Sequence, residues 1–235
     1  MFERLDEKLK AALAAVQKPG RYTGGEVNST VKDKSSVSVR FALCYPDLYE
    51  VGMSNLGIKI LYELMNARPD TWCERVFAPA ADMEAQLRAA GLPLYGLESK
   101  DPISQFDIVG FSLQFELNYT CILQMMELGG IPFYASERGE DDPLVIAGGP
   151  CVVNSEPVAP FFDLVLVGTA RTAFPPFWTC SRRASGRACP ERNSCAARPP
   201  SRARMSRRCI RWSMTAPQLR ASRRRRRCAA LWCWI

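Results

Sequence analysis

The chain has 235 residues, enough for one domain of ordinary size with extensions, and its 31 Lys+Arg against 24 Asp+Glu give a formal charge of +7 with no histidine at all. The average hides two opposite parts: residues 1–168 carry 14 Lys+Arg and 23 Asp+Glu, a net of −9, whereas residues 169–235 carry 17 Arg, no Lys and one acid, Glu191, a net of +16. The lack of histidine excludes a Ser-His-Asp triad and removes the usual metal ligand and default general base. No apolar run approaches the ~20 residues of a membrane span. The opening "MFERLDEKLKAALAAVQKPG" is charged and helical rather than a secretory signal. Cys44, Cys73, Cys121 and Cys151 have no short-range pairing and sit in or beside apolar runs, which predicts free thiols in a reducing compartment and a soluble cytoplasmic protein.

Leu5, Leu9, Leu13 and Val16 share one face of a helix that Pro19-Gly20 ends, and "RYTGGEVNSTVKDKSS" follows as a loop-rich arm. From Val37 the pattern repeats strand, turn and helix. "SVSVRFALCYP" is a β-rich run. "SNLGIKILYELMNA" is an amphipathic helix with Leu56, Ile60, Leu61 and Leu64 at helical spacing and Ser54 or Asn55 as its N-cap. "CERVFAP" reads as a short strand, and Ala81 to Ala90 as a helix closed by Gly91. "PLYGLES" reads as a strand, "FDIVGFSL" as a buried strand, and "NYTCILQMMELGG" as a helix. "IPFYAS", "PLVIAGGP" and "FFDLVLVG" complete the series. Alternating strands and helices predict a doubly wound α/β domain over residues 37–168, with a mostly parallel sheet covered on both faces, after an arm at residues 1–36.

Ligands of such sheets bind beyond the carboxyl ends of the strands. The loops to inspect are therefore "YPDLYEVGMSN", "SLQFELNY", "GGPCVVNSEPVAP" and the one after "VLVG". Gly52, Met53 and Ser54 stand at a helix start, where free backbone amides can meet a phosphate or a polar amide. Gly148-Gly149-Pro150 leaves its strand without side chains, open either to a planar ligand or to a plain strand-end turn. A P-loop and a GxGxxG after the first strand are both missing. Asp47, Glu50, Asp82, Glu84 and Glu116 read as solvated surface carboxylates rather than acids or bases of a reaction. Met53, Met65, Met125 and Met126 read as core fillers. No catalytic residue and no metal ligand is assigned.

Four co-ordered segments, "KPGRYTGGEVNS", "FALCYPDLYEVGMSNLGIKILYELMN", "DIVGFSLQFELNYTCIL" and "VIAGGPCVVNSEPVAPFFDLVLVG", together resemble the N-terminal part of a B12-binding radical SAM protein family. The resemblance covers residues 1–168. It implies a cobalamin-binding, flavodoxin-like fold and a corrinoid at the sheet's carboxyl edge, lined by Met53, Ser54 and Asn55, by Ser112, Leu113 and Gln114, and by Gly148, Gly149 and Pro150. The DxHxxG loop that gives many such domains a lower-ligand histidine is absent, so cobalamin would be held without one, or the fold kept and the vitamin lost. In intact members a barrel binds S-adenosylmethionine and a [4Fe-4S] cluster on three cysteines at CxxxCxxC spacing. Cys180, Cys189, Cys195, Cys209, Cys228 and Cys233 do not have that spacing. The resemblance thus implies a truncated N-terminal fragment, inactive alone. A noncatalytic nucleotide- or partner-binding module and an Arg-rich nucleic-acid binder are the alternatives; oligomeric state is left open.

Residues 169–235 have three readings: a disordered basic arm, a small zinc or disulfide domain, and coding DNA read out of frame. Basic arms mix Lys with Arg and avoid Trp and Cys, yet Trp178, Trp212, Trp232 and Trp234 are here; a zinc domain has no CxxC and no His to build on. Reverse-translating "VGTARTAF" with GC-rich codons and restoring one dropped base yields "VGDGEDGL", the acidic turn with which the family continues. The tail is therefore read as an out-of-frame, disordered, Arg-rich segment with no selected nucleic-acid specificity. Sequencing the gene across codons 165–175 is expected to reveal a broken frame with cluster-coding sequence downstream; one intact frame with no such region contradicts the reading.

Overall fold

The computed structural model describes residues 7–168 and a four-residue strand, Ala229–Trp232. Helix α1 (Glu7–Ala15) buries Leu9, Ala12 and Leu13, the face its leucine spacing predicts; Leu5 lies outside the described residues. After the single turn α2 (Gly20–Thr23) come β1 (Val39–Tyr45), the short α3 (Tyr49–Ser54), α4 (Leu56–Asn66), β2 (Thr71–Phe77) and α5 (Ala81–Ala90). Then follow β3 (Ile108–Ser112), α6 (Tyr119–Leu128), β4 (Leu144–Gly148) and β5 (Leu164–Val167). Ala229–Trp232 forms β6. The sheet order is β2-β1-β3-β4-β5-β6 and every pairing is parallel.

Helices cover both faces. On one, α1, α5 and α6 pack through Leu13, Met83, Leu87, Ile122 and Met125 onto Ala42, Val109, Phe111 and Val145. On the other, α4 packs through Ile58, Tyr62 and Met65 onto Phe41, Leu43 and Cys73. β1 and β3 are buried on both faces, which is why, Arg40 and Ser112 aside, their sequences are apolar without alternation. The predicted doubly wound α/β fold is the observed one. Of the tail, only β6 is described, beside β5, where the sequence predicted no element; the rest of residues 169–235 lies outside the described residues.

Three local expectations are corrected. "PLYGLES" is not a strand: Lys100 has φ 67°, and Tyr95 makes only an isolated antiparallel bridge to Pro102. "IPFYAS" is a turn, gathered by the buried Arg138 guanidinium, which donates to the Pro132, Phe133 and Phe161 carbonyls. On α4, the buried row is Ile58, Tyr62 and Met65, whereas Leu56, Ile60 and Leu64 are 68%, 38% and 46% exposed. That helix is apolar around most of its circumference, so periodicity admits either face. Tyr62 belongs inside because its hydroxyl accepts the Thr30 N–H at 2.8 Å and the Arg75 guanidinium lies 4.4 Å from its ring centre.

β2 is an edge strand, yet all seven of its residues are buried. Exposed edges invite pairing with other chains. Here side chains close the edge. The Thr71 carbonyl accepts from Lys32 Nζ at 2.6 Å, and that ammonium also holds the Asn66 and Arg68 carbonyls at the end of α4. The Asn66 amide pairs with Cys73 N–H and C=O. Arg75 N–H donates to Glu98 Oε2 at 2.8 Å, and the Arg75 carbonyl accepts from Leu97 N–H. Glu74 and Arg75 are both buried; Glu74 takes Arg40 Nη2 at 2.6 Å, while Arg75 takes Glu98 at 2.8 Å and Glu26 at 3.0 Å.

Lys100, beside this network, donates to the Leu97 carbonyl and lies 5.6 Å from the Tyr95 ring centre. Burial pushes its pKa down to about 8, against the pull of Glu98, Glu26 and Glu74. The unfolded chain keeps its lysine protonated to ~10.4, so between these values the unfolded state binds the extra proton and stability rises with pH. The burial penalty is full below about pH 8 and is relieved above it. Urea unfolding of wild type and Lys100→Met should therefore diverge in favour of wild type from pH ~7 to ~9.5 by on the order of 1 kcal/mol. A pH-independent difference contradicts the assignment.

Candidate functional site at the carboxyl edge of the sheet

The crossovers leave β1 and β3 side by side while their chains depart to opposite faces, α4 on one and α6 on the other. That divergence opens a crevice at the carboxyl ends of the two strands, the usual ligand position in an open α/β sheet. Three loops border it: Pro46 to Asn55 after β1, Leu113 to Asn118 after β3, and Gly149 onward after β4.

The loops after β3 and β4 are tied together. Leu113 N–H donates to the Gly148 carbonyl at 2.7 Å, Cys151 N–H donates to the Leu113 carbonyl at 3.1 Å, and Cys151 Sγ reaches the Gln114 carbonyl at 3.1 Å. Ser112, Leu113, Gln114, Gly148, Gly149 and Pro150 therefore form one group. Gln114 Nε2 donates to Ser112 Oγ at 2.6 Å, Leu113 is fully buried, and Pro150 is exposed. Gly149 has φ 112°, and a Cβ there would stand 2.6 Å from the Leu113 carbonyl oxygen, so its glycine is required by the crossing backbone. A Cβ on Gly148 would meet nothing within 4 Å; the open approach lies there.

Met53, Ser54 and Asn55 lie apart from that group, on the β2 side of β1. Met53 Sδ is 3.5 Å from Arg75 Nη1, and Ser54 Oγ donates back to the Val51 carbonyl at 2.8 Å. Asn55 is the N-cap of α4: its Oδ1 accepts Ile58 N–H at 3.1 Å, as the sequence predicts for one of two candidate caps. Such a cap contributes ~1 kcal/mol. All three side chains thus have structural partners, and only Asn55 also touches the β1 terminus, through Tyr45 Oη at 3.4 Å.

Asn118 joins the two sides, and the sequence reading passed it over as the first residue of a helix. It is the N-cap of α6 and 4% exposed, yet its side chain makes no cap; Nδ2 donates instead to the Pro46 carbonyl at 2.5 Å, across the crevice. Oδ1 is buried with no hydrogen-bond partner among the described residues. The three bordering loops also carry exposed apolar side chains: Phe115, Leu117, Val51 and Val153 are 41%, 84%, 41% and 69% exposed.

Several of the carboxylates singled out in the sequence have structural partners. Glu50 pairs with Lys18 and Arg21, Glu84 with Arg88 and Gln124, and Asp82 accepts Gln17 N–H. Met65, Met125 and Met126 are core, as predicted. Cys44, Cys73, Cys121 and Cys151 are free thiols, and burial, with the Glu116 charge added, pushes the Cys151 thiol up, so that it stays neutral at pH 7. Among the described residues no group of three or more His, Cys, Asp or Glu could hold a metal ion, and no helix is long and apolar enough to cross a membrane.

The two glycines give opposite expectations. Gly149→Ala should lower unfolding free energy by ~2–4 kcal/mol, through the backbone clash and the positive φ. Gly148→Ala should stay within ~0.5 kcal/mol of wild type. Urea titration checks both; equal effects contradict the assigned roles.

A family model described as radical SAM proteins, N-terminal, matches residues 57–198, more than half of the chain. The matched residues run past Gly168 into the Arg-rich segment. An uncharacterized protein of Methanocaldococcus jannaschii is 27% identical over 128 residues, which cover 54% of this chain and 23% of that protein. The chain thus matches about a quarter of that relative's length. No solved structure matches the chain. With more than half of its residues matched by that model, the chain belongs to the family of N-terminal regions of radical SAM proteins.

Proposed function

We propose that residues 37–168 serve a radical SAM enzyme as a corrinoid-binding domain, with no catalytic residue of their own. The observation that carries this reading is the strand order β2-β1-β3-β4-β5, which opens the β1–β3 crevice in a family member. The boundary at residue 168 rests on composition, since the family match itself ends at residue 198.

The residues present fit a large, mostly apolar ring edged with polar groups. Gly148 leaves free approach to the end of β4, and Phe115, Leu117, Val51 and Val153 offer apolar surface on both sides of the crevice. The sequence has no histidine to ligate cobalt, and the Cys151 thiol is held neutral, so the ring would be held through its edges and faces rather than through its metal. When bound, a corrinoid supplies a cobalt centre able to carry an alkyl group or an electron. The chain's own part would be to seat the ring.

A second reading, a noncatalytic partner-binding module, is favoured by the row Leu56, Ile60 and Leu64, which α4 leaves toward solvent at four-residue spacing. A nucleic-acid role has no support in residues 1–168, whose net charge is −9.

Hydroxocobalamin added to the purified chain should be retained through gel filtration with a shifted absorption spectrum, and should raise the melting temperature by mass action. Retention should fall with Gly148→Phe, which fills the open approach. A chain that elutes colourless with unchanged melting contradicts the corrinoid reading.

A further inference from the structure

α4 turns apolar and charged residues outward in an order that complements itself. Leu56, Ile60 and Leu64 are exposed along it, whereas α1, α5 and α6 expose no large apolar side chain among the described residues. At 3.6 residues per turn, Lys59 and Glu63 stand together on one flank of this row, and Gly57 and Leu61 on the other. Lys59 and Glu63 are exposed, and neither side chain has an ion pair or hydrogen bond among the described residues. Leu61 packs partly buried against the core, and a Cβ on Gly57 would meet only the Asn55 side chain, so the groove beside the row is open. Ridges at four-residue spacing that enter such grooves make the commonest helix–helix contact. Beside the helix the arm adds Val31, 70% exposed, between Thr30 and Lys32, which bind the Tyr62 hydroxyl and the Asn66 carbonyl.

We propose that this face is a homodimer interface: two copies of the chain cross their α4 helices antiparallel about a two-fold axis near Ile60, each ridge lying in the other's groove. Symmetry decides the orientation. In an antiparallel two-fold pair like flanks face each other, so Lys59 meets Glu63 of the partner subunit, and Glu63 meets Lys59 of the partner subunit. In a parallel pair the charged flank would face the Gly57–Leu61 flank, and the charges would lose water without a counter-charge. A foreign helix would have to bring the same apolar row with the opposite charges beside it; a second copy already carries both. The ion pairs lie at the rim and set orientation more than strength, which comes from the apolar row. The dimer holds whether or not the crevice binds a corrinoid, and it rests on the reading of α4 as a partner-binding face.

Sedimentation equilibrium of the full chain in reducing buffer should show a monomer–dimer equilibrium. Lys59→Glu and Glu63→Lys should each weaken it at least ~10-fold, because each sets like charges against each other on both sides of the axis. Mixed in equal amounts, these two variants should pair about as tightly as wild type, since every facing pair is then one acid and one base. Ile60→Asp, at the centre of the row, should leave monomer. A wild-type chain that stays monomeric at ~100 μM overturns the self-pairing and leaves the partner-binding reading to a different protein. A dimer that Ile60→Asp does not weaken is formed elsewhere and overturns the interface. Single variants that fail to pair when mixed overturn the antiparallel arrangement.

Discussion

Two adjacent residues in the middle of the edge strand β2, Glu74 and Arg75, are buried, and each needs a counter-charge brought from elsewhere in the chain. A buried charge without a partner costs several kcal/mol, so these two fix what surrounds them. Being neighbours on a strand, they point to opposite faces. Glu74 draws in Arg40 and the Ser99 N–H; Arg75 draws in Glu98 and, from the N-terminal arm, Glu26. The arm and residues 94–101 are thereby held against the strand, and the edge has no free pairing surface over Thr71–Arg75. Burial lifts the Glu98 carboxyl while its ion pair with Arg75 opposes the lift. The pair's worth lies less in net stabilisation than in fixing one arrangement of the arm.

The same network reaches the crevice. Glu26 accepts from the Tyr49 hydroxyl at 3.0 Å, and Arg75 touches Met53, so the α3 turn that follows β1 is seated from the β2 side. Asn118 then ties Pro46 to the start of α6 from the other side. The loop after β1 is held at both ends while the apolar residues between and opposite remain open to solvent. One edge of the sheet is closed by charge, and the carboxyl end of its middle strands stays accessible. The proposed ligand position, the β1–β3 crevice, lies at that accessible end.

Much of the fold is legible in the sequence because strands buried on both faces have nowhere to place a polar residue. "DIVGFSL" and "LVIAGG" announce themselves for that reason, and the Gly91 stop of α5 follows from its left-handed conformation at φ 62°. What fails is where composition admits two answers. α4 is apolar on two sides, and only the distant Thr30 and Arg75 determine which side turns inward. "PLYGLES" has a strand's residue types, but it meets β2 through a single Leu97 N–H to Arg75 carbonyl bond and through the Glu98 and Glu74 side chains rather than a backbone ladder. Of the site, the loops were legible from strand ends alone, but the split between the Met53–Asn55 group and the Ser112–Pro150 group was not. Asn118 was hidden because it reads as the first residue of a helix, and its unpartnered oxygen is visible only in three dimensions.

Hydrogen–deuterium exchange on the full chain, with and without hydroxocobalamin, tests most directly whether the carboxyl edge is the working face. The account predicts slowed exchange confined to residues 46–55, 113–118 and 149–155, with residues 94–101 and the arm unchanged. Slowing centred on α4 or the arm, or none at all, would contradict it.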